Sequence, residues 1–185
     1  MIEAAGRRFK RDGIDSSGIS ALMKDSGLTN GAFYRHFTSK DDLAATAVAD
    51  QLRTQNASIV AQAAPGRVGL ARIVRWYPSA RHHDSSDDCC PSAALLDEIR
   101  RRHDPTRQAC TEGVLMVIDG IAARLAPDDP LPARTRALSA YTMTAGTLQL
   151  SVALADQRLA DELLEQGIHN ALTLGVEDEH ARTAA

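Results

Sequence analysis

The chain is predicted to be all-α and built in two parts, and three observations predict it. Apolar residues recur at helical spacing, as at Leu70, Ile73, Val74 and Tyr77, while strand formers are sparse and Ala, Leu and Arg abundant. Glycine and proline punctuate the periodic runs at Gly13, Gly27, Pro65-Gly66, Pro78, Pro105 and Pro127. Four of the seven aromatic residues (Phe9, Phe33, Tyr34, Phe37) fall before position 40. A small core needs bulky side chains, so this clustering points to a separate compact unit. The pattern predicts about nine helices. The expected division is an N-terminal three-helix domain over 1–45, a helical body over 46–176 and a polar, frayed tail over 177–185.

Residues 2–12 read as the first helix, with Ile2, Ala5 and Phe9 on one face, Arg7, Arg8, Lys10 and Arg11 over much of the rest, and Gly13 at its end. Ser16 and Ser17 offer N-cap oxygens to a second helix carrying Ile19, Leu22 and Met23. Gly27 stands where a sharp turn must leave that helix, because glycine accepts positive φ at little cost. Leu28 is expected to face the core, and Thr29 to cap a short helix running through Arg35. Ser39 caps the next helix, with Asp42 at capping-box distance. Helix, glycine turn, helix is the layout of a helix-turn-helix, whose second helix enters the major groove. Thr29, Asn30, Gly31 and Ala32 make a small N-terminal face that backbone and base edges can approach, and amides there attract phosphate. Tyr34, Arg35, His36 and Lys40 follow, all able to donate to phosphate oxygens, and Phe33 and Phe37 are the buried side.

Lys40 to Ala63 reads as one long helix with Leu43, Ala47, Val48, Leu52 and Ile59 in a stripe; Val68 to Tyr77 makes another. Residues 78–91 form a polar loop containing His82, His83, Asp84, Asp87, Asp88, Cys89 and Cys90, at spacings that fit no compact zinc template. Pro91 suits a helix first turn, so Ser92 to Arg102 is expected to be helical with Cys90 at its N-terminus. Such a position lowers a thiol's pKa, although Asp87 and Asp88 oppose that. Cys110 reads as core. Asp104-Pro105 opens a helix to about Ala126, striped by Val114, Val117, Ile118, Ile121 and Leu125. After a loop over 127–132, Ala133 to Ala155 carries Leu138, Tyr141, Ala145, Leu148 and Val152 on one face and Thr142, Gly146, Gln149 and Ala153 on another. A last helix, Gln157 to Leu174, has Leu159, Leu163, Leu164, Ile168 and Leu172, more apolar surface than one intramolecular contact needs. These two helices are read as the dimer interface, a four-helix bundle made from both subunits, the alternative being a pair packed within one subunit.

The net charge of −3 is unevenly spread. Residues 1–40 hold seven Lys or Arg against four acids, +3, which leaves −6 for the remainder. A basic head on an acidic body fits contact with nucleic acid through one end. Three cysteines, with no signal peptide and no long apolar run, point to a reduced cytoplasmic setting. An enzyme is not expected: the chain has no nucleophile–base pair at recognisable spacing, no phosphate loop and no metal motif, and His36 has no sequence partner as a base. No cofactor is expected.

The run Gly27-Leu28-Thr29-Asn30-Gly31-Ala32-Phe33-Tyr34-Arg35-His36-Phe37-Thr38-Ser39-Lys40-Asp41-Asp42-Leu43 resembles the signature of the TetR/AcrR family of bacterial transcriptional regulators. That family commonly shows Gly-Val-Ser-x-Gly-x-hydrophobic-Tyr-x-His-Phe-x-x-Lys-x-x-Leu. Gly27, Gly31, Tyr34, His36, Phe37, Lys40 and Leu43 match identically, and Leu28, Thr29 and Phe33 in kind. The resemblance implies a homodimer whose N-terminal domains bind operator DNA and whose larger domains dimerise through the last two helices and hold a small-molecule effector. On that reading base edges fall mainly to Thr29 and Asn30, with Ala32 or Arg35 beside them, Gly31 lets the backbone come close, and Ser17, Tyr34, His36 and Lys40 hold phosphates. The family pattern starts two to three helical turns earlier, often with a basic arm; here Met1 falls inside the first helix, which leaves open whether Met1 is the start and puts an arm contact in doubt.

The reading that follows is a DNA-binding transcriptional regulator, as a repressor released by an effector. Trp76, Tyr77, Met116, Tyr141 and Met143 are candidates to line an effector pocket, and each is equally at home as plain core. Cys90-Pro91-Ser92-Ala93-Ala94-Leu95, with Glu98 beyond, resembles a segment in a branch of the family where some members sense oxidants or electrophiles through the cysteine; Cys89 stands here in place of a glycine. That offers a thiol-responsive repressor as the alternative. A helical protein-binding adaptor without DNA affinity is the reading outside the class. The sequence names no effector, operator or regulated gene.

Overall fold

A computed structural model describes residues 1–62, 64, 66–76 and 90–174. Among these residues there are ten helices and no strand. They are α1 (Ile2–Asp12), α2 (Ile19–Asp25), α3 (Asn30–Phe33), α4 (Lys40–Gln62), α5 (Gly66–Trp76), α6 (Pro91–Ala94), α7 (Leu96–Arg100), α8 (Asp104–Leu125), α9 (Pro130–Ala153) and α10 (Gln157–Thr173). Tyr77, the loop with its histidines, aspartates and Cys89, and the tail over 177–185 lie outside the described residues.

One element more than expected arises between Pro91 and Arg100. The segment is two short helices broken at Leu95, whose φ of −123° and ψ of 2° leave the helical region while its side chain is buried. At the other end of α8, the loop expected over 127–132 is shorter. α9 already starts at Pro130, since a proline in the first turn gives up an N–H that has no intrahelical acceptor anyway.

The chain forms two compact units, Met1–Gln55 with Asp84–Leu115 and Asn56–His83 with Met116–Ala185. The core of the first is built on Phe9, Ile14, Leu22, Met23, Phe33, Leu43 and Leu52, all buried, with Leu95, Ile99 and Cys110 joining it. Each such large side chain removed from water contributes about 1.5–3 kcal/mol. The Arg8 guanidinium pairs with Asp25 at 2.6 Å and so ties α1 to α2. Gly113 of α8 lies against Leu52 of α4 so closely that a Cβ would fall 2.6 Å from the leucine Cβ.

In the second unit, α9 and α10 pack along each other. Their close approach is at Gly167, where a Cβ would stand 2.9 Å from the Thr147 Cβ; Gly146, the small residue expected to admit a neighbour, has nothing near it. The buried side of α9 is Ala133, Ala137, Ala140, Tyr141, Thr144, Ala145, Leu148 and Ser151. Leu138 and Val152, expected on that stripe, are instead exposed, as are Leu150 and Leu159. The small residues let the helix approach its neighbours, while Leu138, Leu150 and Val152 point away and Leu148 stays buried.

Candidate nucleic-acid interface

The helix-turn-helix is closed by main-chain atoms. Gly27 takes φ +65° just past α2. Its N–H donates to the Lys24 carbonyl at 3.0 Å, and the Leu28 N–H donates to the Met23 carbonyl at 2.8 Å. These two bonds are a Schellman motif, the arrangement a left-handed glycine allows at a helix end. Leu28, expected to face the core, is 42 % exposed. It emerges directly from that turn, and the buried positions there belong to Met23 and Phe33.

α3 is one turn long, and backbone bonds from His36 and Phe37 to the Phe33 carbonyl carry the chain round behind it. Thr29 stands at its N-cap in extended conformation, without a side-chain cap bond. Phe33 and Phe37 are buried, with ring centroids 5.9 Å apart, and the Tyr34 ring stands edge-on to Phe33 at 5.0 Å. This packing holds Tyr34 outward at 67 % exposure. Thr29, Asn30, Gly31, Arg35 and His36 are exposed with it. The sequence-expected contact residues are thus gathered on one short stretch, with three departures.

Ser17 is fully buried, and its hydroxyl donates to the Gly13 carbonyl at 2.7 Å, so it presents no donor to a phosphate. The N-cap of α2 is Gly18, not a serine. Ala32 is 7 % exposed on the core side of α3 and offers no atom to a base edge. The Lys40 ammonium donates to the carbonyls of Ile14 and Asp15 at 3.0 and 3.1 Å, which makes it a brace of the α1–α2 turn. At the start of α4, Ser39 Oγ accepts from the Asp42 N–H at 3.1 Å, as expected of a cap. The Asp42 carboxylate accepts from the N–H of Thr38 rather than that of Ser39.

Sequence reasoning missed the part played by Glu98 and Arg102. The Glu98 carboxylate accepts from the N–H groups of Ile14 and Asp15, at 2.7 and 3.1 Å. The Arg102 guanidinium pairs with Asp15 and with Asp41, the latter at 3.0 Å. Burial works against its charge, but the hydrogen bonds to Asp15 and Asp41 outweigh this and hold its pKa above the ordinary value. No sequence pattern signals a pairing across more than eighty residues.

In the second unit, Ile59, Leu70, Ile73, Ile121, Tyr141 and Thr144 surround an apolar cavity of about 10 Å³, at the margin of what one water molecule needs. Of the expected pocket residues, Tyr141 is on its wall, Trp76 and Met143 are half-buried, and Met116 is exposed. In the first unit, Cys90 is buried at the N-cap of α6. Its Sγ accepts from the Ser92 N–H at 3.3 Å and donates to Gln55 Oε1 at 2.9 Å. The Gln55 Nε2, also buried, has no hydrogen-bond partner among the described residues. Burial, with a smaller effect of Cys90, pushes the Cys110 thiol up.

Residues 1–47 match the family model of bacterial regulatory proteins of the tetR family. No curated protein matches the chain by sequence. Among solved structures, the chain is similar to reduced Escherichia coli NemR, at 18 % identity over 92 % of both chains, with a TM-score of 0.73. A TetR transcriptional regulator from Legionella pneumophila is similar at 12 % identity over 91 % of this chain and 94 % of that one, TM-score 0.71. The Bacillus subtilis regulator FadR, solved with stearoyl-CoA, is similar at 17 % identity over 95 % and 96 %, TM-score 0.63. The tetR family model thus covers the first 47 residues, and over nine-tenths of its length the chain shares the fold of these solved regulators.

Proposed function

We propose that the protein is a homodimeric, cytoplasmic operator-binding repressor, non-catalytic, released from DNA by a small-molecule effector. Residues 1–45 are its DNA-binding part and 46–176 its effector-binding and dimerising part. The observation that carries this reading is the exposed set Thr29, Asn30, Gly31, Tyr34, Arg35 and His36, held on and just behind a one-turn helix by the buried Phe33 and Phe37. Thr29, Asn30 and Arg35 are assigned to base edges, Tyr34 and His36 to phosphates. Two such helices, one per protomer, read the half-sites of a palindromic operator one helical turn apart. Dimerisation is assigned to α9 and α10, where Leu138, Leu150, Val152 and Leu159 are exposed.

The effector is assigned to the second unit, around the cavity at Tyr141. Its apolar lining suits an apolar or amphipathic molecule, and the stearoyl-CoA complex of FadR is an instance within the same fold. An effector acts only through a difference in affinity between the DNA-competent and released states. A gel shift with the intergenic DNA beside the protein's own gene, at low salt and then with a ligand panel, tests the reading. Retarded DNA that a ligand frees is the expected result; no retardation by the dimer overturns it. Arg35→Ala should also weaken binding.

Cys90 supports a second reading, a thiol-responsive repressor. The side-chain bond to Gln55 and the unpartnered Gln55 Nε2 place polar groups around a buried sulfur. Repeating the gel shift with an oxidant tests it: Cys90→Ser should remove any response, and a maleimide-labelling rate at Cys90 no faster than that of a model thiol would count against it.

A further inference from the structure

The turn between α1 and α2 is held by charged side chains from distant parts of the first unit. The two carbonyls at Ile14 and Asp15 accept from Lys40, and the two N–H groups of the same residues donate to one oxygen of Glu98. The other oxygen of that carboxylate lies against Gly13, where φ is +85° and a Cβ would stand 2.5 Å from it. Arg102, its side chain only 11 % exposed, pairs with Asp15 on the turn and Asp41 on α4 and lies 3.7 Å from Glu98. Hydrogen bonds to a full charge are roughly twice as strong as neutral ones. Here they converge on the six-residue connection Gly13–Gly18, which is neither helix nor strand and leads into α2.

We infer that Glu98 and Arg102 are positioning residues for DNA binding, which set the α1–α2 turn and through it α2, and which do not themselves touch DNA. The inference rests on the DNA-binding reading above. Without the clasp, the turn samples other conformations and only a fraction of molecules presents α2 and α3 correctly. Apparent affinity falls by that fraction.

The test uses full-length Glu98→Ala and Arg102→Ala dimers with the intergenic DNA, titrated over a range of salt, alongside amide hydrogen exchange without DNA. Each variant should bind about tenfold more weakly, as when about a tenth of the molecules are competent, with an unchanged slope of log affinity against log salt. The amides of Ile14 and Asp15 should exchange faster in Glu98→Ala while those of α4 and α8 keep their protection. If Arg102 held a phosphate instead, its loss would lower the salt slope by about 0.9 for each contact removed, and the inference would be overturned. Wild-type affinity in both variants, or unchanged protection at Ile14 and Asp15, would also overturn it. Should Glu98→Ala fail to fold, Glu98→Gln keeps the shape and an acceptor oxygen without the charge, and carries the same expectation at about threefold. A wild-type protein that binds no DNA would sink the DNA-binding reading, whereas the exchange measurement reports on the clasp alone.

Discussion

The Asn30 side-chain amide donates to Ser20 Oγ at 2.9 Å, joining the first residue of α3 to α2 across the exposed side of the helix-turn-helix. An asparagine proposed to read a base edge is therefore already oriented before DNA arrives, with its carbonyl oxygen and its second N–H left to the base. Asn30→Ala removes both reader and brace, and is expected to cost about 1–3 kcal/mol of operator binding, the range of one good base contact. Ser20→Ala removes only the brace and should cost a small part of that. Fluorescence anisotropy on one operator fragment compares the two; equal losses would mean that the bond to Ser20 is the whole contribution of Asn30.

The two close helix contacts predict the behaviour of Gly113 and Gly167. Alanine is the better helix former by about 1 kcal/mol, so on an open helix either substitution would stabilise. Here the new Cβ meets the Cβ of Leu52 or of Thr147, neither of which is the free end of a flexible chain. Gly113→Ala and Gly167→Ala should each destabilise by about 1–3 kcal/mol. Gly146→Ala, with open space around it, should leave the melting temperature unchanged or raise it.

A charge on the exposed face of α9 should separate dimerisation from folding. Leu150, 58 % exposed, adds little to its own subunit's core. Leu150→Asp is expected to give a monomer by sedimentation with the helical content of the wild type, and to lose most DNA binding, since one half-site contact alone is weak. A dimer of unchanged stability would move the interface elsewhere.

Cys110 predicts a pH dependence. Its buried thiol is held protonated, so the folded-state pKa lies above the unfolded one. The resulting contribution to stability is present in full below the unfolded thiol's range and is lost as pH rises through the raised value. Cys110 is only 9 % exposed on the wall of an open groove of about 670 Å³ lined by Leu96, Ile99, Arg100 and Thr111 among others, so burial slows a reagent as well. Iodoacetamide labelling at Cys110, followed by peptide mass spectrometry, should be slower than for a free thiol at mildly alkaline pH and should catch up only at higher pH.

Where local chemistry decides, the fold was legible in the chain. Gly27 ends α2 because a left-handed turn needs it, and Ser39 caps α4 because its hydroxyl has the adjacent amides to serve. Phe33, Phe37 and the exposed residues around them follow from a one-turn helix with one apolar side. Distant packing decided the rest. Ser17 looked like a helix cap, but the turn before it is shaped by Glu98, and its hydroxyl is drawn to Gly13 instead. Spacing put Leu138 and Val152 on one face with Tyr141, Ala145 and Leu148, yet only the latter three are buried, together with Ala133, Ala137 and Ala140. A helical stripe shows which residues share a face but not how close the neighbouring helix comes.

The Schellman closure at Gly27 has a consequence for how such a protein changes its target. The angle between α2 and α3 depends on amide and carbonyl groups that every residue carries, plus one glycine with open space around it. The side chains of Thr29 and Arg35 take no part in those bonds, and neither does Gly31. New operator specificities are accessible by substitution at these positions while the scaffold that presents them stays as it is.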